Sequence, residues 1–408
     1  MRSSSEGIVA TQAGSLPRPD ELIALNAAGA DAAPAAGGER TAHYRAKLDD
    51  ELTSLVARQR DIGIGLVGDG EFGKATSQQV DYGAWWSYSF QRLGGLELGK
   101  ASLSDIDTNR SGAAGIRLTS FGNRRDRERF AEAYGDPESG VDTGRKPLTF
   151  PVCTGPLHYT GHDAINSDIA GFKRALGAAG VDEGFMTSIG PGSCSRIGNE
   201  YYRDDEEWLY ACADAMREEY KAILDAGLIL QIDDPAIAEN WDQINPEPPV
   251  ADYRAFTMQR VEALNYALRD LPKDRIRFHL CWGSWHGPHT TDLPLAELIE
   301  VLLAIDVRAY SFEAGNVRHE HEWKVWRDVP LPEGKLILPG VVSHATNVVE
   351  HPELVADRIV RFAECVGREN VLASTDCGLG GRVHPQIAWA KLESLAAGAE
   401  LATRRLWP

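Results

Sequence analysis

His279 and Cys281 stand two residues apart in the segment Arg277-Phe-His-Leu-Cys-Trp-Gly283. On an extended chain, residues i and i+2 share a face. Arg277, His279 and Cys281 are therefore expected on one side, and Ile276, Phe278 and Leu280 on the other. Imidazole and thiolate are both ligands of tetrahedral zinc. Glu313 and Cys377 bring a carboxylate and a second thiol, each at the end of a later expected strand. Taken singly, a buried thiol or histidine is ordinary core chemistry. The set His279, Cys281, Glu313 and Cys377, each closing a strand, predicts a zinc site whose ligands come from separate elements, unlike a zinc finger. Two thiolates, a carboxylate and an imidazole leave such a site with net negative charge. It is then a weak Lewis acid toward carbonyls, but suited to binding a thiol, removing its proton and keeping the sulfur nucleophilic. Glu313 is the weakest of the four ligands and the one a thiol would displace.

Other polar residues fall at the same kind of position. His344 follows Val-Val-Ser at a strand end, where an imidazole could protonate a leaving group. Glu71 and Asp233 could bind a substrate ammonium, and Ser15 with the Gly14 backbone a carboxylate. His286, His289, His319 and His321 read as loop residues at the surface or behind the ligands. Ile189-Gly-Pro-Gly-Ser193 lacks the Lys-Ser/Thr ending of a phosphate loop.

These residues need elements to position them. Short apolar stretches at 8–15, 64–71, 148–156, 228–234, 276–283, 309–313, 336–343 and 371–377 read as strands. Amphipathic helices are expected at 42–61, 204–226, 251–268, 294–304, 352–366 and from Pro385, several with plausible caps: Asp204 or Asp205, Pro352, and Gly227 and Gly367 as stops. Eight strands alternating with helices predict an α/β fold, a closed (β/α)8 TIM barrel spanning residues 1–408 as a single domain. An open doubly wound sheet is the alternative. In a barrel the reactive residues gather at the C-terminal ends of the strands. Long insertions follow the second strand (72–147) and the third (157–203). The first holds the aromatics Tyr82, Trp85, Trp86, Tyr88 and Phe90 and a charged run at 123–130, read as a solvated helix face. It is expected to carry substrate contacts or the subunit contact of a homo-oligomer. Residues 27–39 read as a low-complexity loop.

The net charge of −18 argues against a nucleic-acid partner. Six cysteines in 408 residues make no disulfide framework. Cys212 and Cys365 lie in apolar helical patterns and read as core thiols. No targeting segment and no apolar run long enough for a membrane is visible, so a cytoplasmic location is expected.

The pieces Ala13-Gly-Ser-Leu-Pro17, Gly68-Asp-Gly-Glu71, Thr154-Gly-Pro156, Gln231-Ile-Asp-Asp-Pro235, His279-Leu-Cys281, Ser311-Phe-Glu313, Ser343-His344 with Asn347, and Asp376-Cys-Gly-Leu379 together resemble the catalytic barrel of cobalamin-independent methionine synthases. They occur in that family's order over most of the chain. The resemblance implies His279, Cys281, Glu313 and Cys377 as ligands of Zn2+. It implies Ser15, Glu71 and Asp233 as contacts to an amino-acid thiol such as homocysteine, and His344 as proton donor. It also implies a 5-methyltetrahydrofolate-like methyl donor as co-substrate. The chain departs from the family in having one barrel where full-length methionine synthases carry two, and in the segment Leu157-His-Tyr-Thr-Gly-His162, where the family places its pterin-stacking aromatic. Single-barrel relatives include the epoxyalkane:coenzyme M transferases, which makes an epoxide:thiol transferase the rival activity. A non-catalytic zinc- or ligand-binding barrel is the third reading.

Overall fold

The computed structural model describes all residues except 31–41, 75–83, 103–114, 117, 119–122 and 142–148. Among the described residues the strands, in chain order, are β1 (Val9–Ala10), β2 (Val67–Gly68), β3 (Leu93–Ser102), β4 (Thr149–Tyr159), β5 (Gly184–Ile189), β6 (Gly198–Asn199), β7 (Ile229–Asp233), β8 (Ile276–Leu280), β9 (Ala309–Phe312), β10 (Leu336–Val342) and β11 (Leu372–Thr375). Eight of them form one parallel sheet in the order β1-β11-β10-β9-β8-β7-β5-β2. The ends of this ladder meet: the amides of Gly65 and Leu66 both donate to the Ala10 carbonyl (2.9 and 3.1 Å). The sheet therefore curls into the expected (β/α)8 barrel, with helices outside.

The alternation of side chains decides what each strand face meets. At the N-terminal ends of the strands, Leu66, Phe185, Ile229, Ala309, Leu336, Leu338 and Leu372 pack into a small apolar cluster. Ile276, Phe278, Leu280, Tyr310, Phe312, Ile337 and Val341 join the larger core shared with the helices. Burying these side chains stabilises the fold by roughly 1.5–3 kcal/mol for each large aliphatic residue. Arg277 shares the His279 face, as the strand period requires. It is fully buried, stacks 3.5 Å from the Phe185 ring centroid, and donates to Gln231 Oε1 (2.6 Å), Thr11 Oγ1 (3.0 Å) and the Gln12 carbonyl (2.7 Å). Burial lowers its pKa to about 9, with Asp233 opposing.

The helices lie close to their expected bounds. Asp205–Asp225 is capped by Asp204, whose side chain accepts from Glu207 N at 2.9 Å. Ala42–Asp61, Val250–Ala267, Leu295–Leu303, Pro352–Val366 and Pro385–Leu406 complete the matching set. The last two begin on proline, which needs no partner for a missing N–H.

Three expectations are corrected. The stretch 148–156 is not the third barrel strand. Its described part belongs to β4, which pairs antiparallel with β3 and parallel with β6 in a separate three-stranded sheet. The third barrel strand is β5, inside the stretch 157–203 expected to be irregular, and the helix His162–Ala179 precedes it. The charged run 123–130 is not a solvated face throughout: the helix Arg125–Arg129 buries Asp126, and Arg124 before it is buried too. Finally, a helix Asp20–Ala30 occupies the first residues of the 27–39 stretch; the remainder, 31–39, lies outside the described residues, as does Tyr82. No helix among the described residues is long and apolar enough to cross a membrane.

Candidate active site

Parallel register brings His279 beside Asp233 on one side and Ser311 on the other. The Ser311 hydroxyl lies 3.0 Å from His279 Nδ1, which fixes the ring and directs Nε2 away from it. Nε2 is buried and makes no hydrogen bond among the described residues. Cys281 follows β8 and Cys377 follows β11. Their sulfurs lie 4.0 Å apart, and a ligand atom of each of His279, Cys281 and Cys377 lies within 4.8 Å of the others. Gly283 adopts φ of 95°, and a Cβ there would come within 2.0 Å of the Trp285 ring. That turn brings the Gly283 amide to the Cys281 sulfur at 3.3 Å.

The electrostatics of the pair call for a cation. The thiol of Cys281 lies beside Cys377, and with His279 it pulls the Cys377 pKa well below the ordinary thiol value despite burial. The same neighbour, together with burial, pushes Cys281 well above it. Two sulfurs this close cannot both ionise alone. Burial lowers the His279 pKa, but Cys377, Asp233 and Glu313 outweigh it and the net shift is upward. Two soft sulfurs and an imidazole nitrogen with no other partner are a donor set that fits zinc.

Glu313, the fourth expected ligand, closes β9. Its Oε1 accepts from Trp282 N (2.9 Å) and its Oε2 from Asn316 Nδ2 (2.7 Å). The structure groups it with His344 and Asp376, whose ligand atoms lie within 4.8 Å of one another, rather than with the sulfurs. Asp376 Oδ1 accepts from Ala314 N and Gly315 N, both at 2.7 Å. Burial and the Glu313 carboxylate raise the Asp376 pKa to about 7. His344 is buried and its Nδ1 makes no hydrogen bond among the described residues. Burial holds its pKa low, although Glu313 and Cys377 oppose.

The remaining expected residues gather on the other side of His279. Glu71 sits at φ of 59° after β2, and its Oε1 accepts from Thr187 Oγ1 at 2.8 Å. A Cβ added at Gly14 would lie 3.0 Å from that same oxygen, so the Gly14-Ser15 turn rests against Glu71. Ser15 Oγ donates to the Gly380 carbonyl at 3.2 Å. Asp233 Oδ1 accepts from Gln231 Nε2 at 2.7 Å. Burial and the nearby Glu71 raise the Asp233 pKa to about 7, against the pull of His279 and Lys74. This carboxylate is desolvated, has a like-charged neighbour and makes no ion pair among the described residues. Lys74, which the sequence reading passed over, is buried here and forms an ion pair with Glu71 (3.3 Å). Its only sequence signal is a basic residue three positions after Glu71, in a Gly-containing turn.

The loops around the mouth are held by the insertion. Arg124 and Arg196 both bind Glu239, and burial of that carboxylate is outweighed so that its pKa falls to about 2. Asp126 accepts from His289 N (3.2 Å), Thr290 N and Thr290 Oγ1 (both 3.0 Å), and Tyr134 OH (3.0 Å). Of the four loop histidines, His319 is buried and bridges Asp292 (3.2 Å) and Glu322 (2.8 Å), stacked 4.2 Å from Trp282. His289 also binds Asp292, at 3.1 Å.

Comparison with known proteins places the chain in a family. The family model of the cobalamin-independent synthase catalytic domain matches residues 180–400. The chain belongs to the cobalamin-independent methionine synthase family. That match covers the strands bearing Asp233, His279, Cys281, Glu313, His344 and Cys377; Ser15, Glu71 and Lys74 lie before it. The uncharacterized protein YxjH of Bacillus subtilis is 25% identical over 374 residues, covering 88% of this chain and 86% of that one. A methionine synthase of Thermococcus kodakarensis is 28% identical over 209 residues, 51% of this chain and 54% of its own length. One of Saccharolobus solfataricus is 25% identical over 239 residues, 58% and 63% respectively. This family member thus aligns with only about half to two-thirds of those archaeal enzymes. The fold is that of a Shewanella B12-independent methionine synthase solved with selenomethionine, at a TM-score of 0.68, 20% identity and coverage of 98% and 99% of the two chains.

Proposed function

We propose that the protein is a zinc-dependent thiol methyltransferase that moves a methyl group from an N-methyl donor of the 5-methyltetrahydrofolate type to the thiol of an amino acid such as homocysteine, giving a thioether. One observation carries the reading: a ring nitrogen of buried His279 lies within 4.8 Å of the Cys281 and Cys377 sulfurs at the barrel mouth, while its Nε2 has no hydrogen-bond partner among the described residues. His279, Cys281 and Cys377 would hold the ion, with Glu313 as the labile fourth ligand. Zinc, when bound, lowers the pKa of a coordinated thiol while leaving its sulfur nucleophilic.

The chain's own residues supply the rest. Ser311 sets the His279 ring, so the nitrogen left without a hydrogen-bond partner among the described residues is Nε2. Glu71 and Asp233 provide negative charge for the acceptor's ammonium, and Ser15 a hydroxyl for its carboxylate. A coenzyme M type acceptor would instead bring a sulfonate up to these two carboxylates, which disfavours the epoxide:thiol reading. His344 gives a proton to the donor nitrogen as the C–N bond breaks and the C–S bond forms. Burial, which disfavours the charged imidazolium, favours release of that proton. We assign 1–408 to one catalytic domain, with the insertion 72–147 within it.

The protein as purified should carry about one zinc per chain, following the stoichiometry of a single site. It should form methionine from homocysteine and a methylated folate. Cys377→Ser should lose both zinc and activity. Full zinc and full turnover in that variant would refute the ligand assignment, and zinc without thioether formation from any thiol would leave only a binding barrel.

A further inference from the structure

Beneath the candidate site the barrel interior holds a polar layer that the reaction as described does not use. Strand register pairs Gln231 with Arg277, one step below the pair Asp233 and His279. Side chains two apart on a strand share a face, so the two layers stack directly. Gln231 and Arg277 are both fully buried. A buried guanidinium is costly unless a carboxylate or several hydrogen bonds compensate it. The three hydrogen bonds of Arg277 go to neutral acceptors: Gln231 Oε1, Thr11 Oγ1 and the Gln12 carbonyl.

Gln231 joins this cation to Asp233. Its Oε1 accepts from Arg277 Nε at 2.6 Å, while its Nε2 donates to Asp233 Oδ1 at 2.7 Å and to the Ala13 carbonyl at 2.8 Å. Both amide protons are thus committed. Turned over, the amide would set its NH2 against the guanidinium and its oxygen against the carboxylate. Arg277 therefore fixes which way the amide points, and a charge at either end strengthens each bond. The same pair reaches the turn after β1, since Gln231 holds Ala13 and Arg277 holds Thr11 and Gln12. Apolar residues of similar volume often fill such a space with equal or greater stability. What the polar layer adds is a set direction for the Asp233 carboxylate.

We propose that Gln231, oriented by Arg277, is a positioning residue for acceptor binding, holding the Asp233 carboxylate in the place where it meets the acceptor's ammonium. It acts from the layer below, through Asp233. The assignment rests on the reading of Asp233 as an ammonium contact given above.

Calorimetric titration of the zinc-loaded protein with L-homocysteine and with 4-mercaptobutanoate, which keeps thiol and carboxylate but lacks the ammonium, tests this. Wild type should bind homocysteine about 10- to 100-fold more tightly, the worth of one charge-assisted contact. Gln231→Met should keep full zinc and bind the two thiols alike, the whole loss falling on homocysteine. In turnover that loss should appear in KM rather than in kcat. The double variant Gln231→Met/Arg277→Met removes the buried charge together with its partner, which guards against misfolding, and should behave in the same way. A folded variant of either kind that discriminates as wild type does overturns the proposal. So does an equal loss of affinity for both thiols, and so does failure of both variants to fold, since the layer would then be structural alone. If wild type itself does not distinguish the two thiols, the ammonium reading of Asp233 falls and the proposal with it; discrimination that survives in the variants removes the Gln231 assignment alone.

Discussion

The hydroxyl of Ser311, 3.0 Å from His279 Nδ1, leaves Nε2 as the ring nitrogen without a hydrogen-bond partner among the described residues. Removing such a partner commonly lowers metal affinity about 10- to 100-fold. Ser311→Ala should therefore weaken zinc binding by that order in a chelator competition while both sulfurs stay in place; unchanged affinity would mean that the ring is held by packing alone. The gathering of His279, Cys281 and Cys377 was legible in the sequence because a period of two and a strand end are local properties: His279 and Cys281 share a face by spacing, and Cys377 closes its own strand. The surroundings of Glu313 were not legible. Its bonds to Trp282 N and Asn316 arise where loops after different strands converge, and its grouping with Asp376 and His344 depends on how those loops fold. Lys74 was missed for a related reason, since its partner Thr187 lies on a strand that the sequence did not reveal.

At the scale of elements, one carboxylate ties the insertion to the barrel. Asp126 accepts four hydrogen bonds, two of them from the backbone of the loop that follows β8 and Cys281. Asp126→Ala leaves buried donors without partners and should cost about 2–4 kcal/mol in urea unfolding. It should also speed proteolysis of the 281–292 loop. A change below about 0.5 kcal/mol, the usual range for surface positions, would show that the insertion is not anchored there. Nothing local marks this contact, because Asp126 sits in a run of alternating charges that, read alone, belongs in water. The misplaced third strand has a similar origin. The apolar run ending in Thr154-Gly-Pro156 looks like a barrel strand, but its antiparallel partner β3 lies more than a turn's length away in sequence. β5 is a short apolar run in a glycine-rich setting. Hydrophobic periodicity marks a strand without naming its sheet. The count of eight was right, with one member exchanged.

Across the molecule, two buried networks outside the site should shape the dependence of stability on pH. Glu239 is held at about 2 by Arg196 and Arg124, below its ordinary 4.5. Its contribution is present above 4.5 and is lost as pH falls through about 2. His319 is raised to about 10 by its bonds to Asp292 and Glu322, which overcome burial, from an ordinary 6.5. Its contribution is full below 6.5 and is lost as pH rises through about 10. Both are intact only between those limits. Thermal unfolding across pH should show a falling alkaline limb that His319→Gln flattens; an identical limb in the variant would assign that loss to other groups.

X-ray absorption at the zinc edge, with and without homocysteine, addresses the central claim most directly. Zinc bound by His279, Cys281 and Cys377 should show two sulfur neighbours at about 2.3 Å with nitrogen or oxygen completing four ligands, and three sulfurs once the thiol is added. A shell without sulfur, or one that the thiol leaves unchanged, would contradict it.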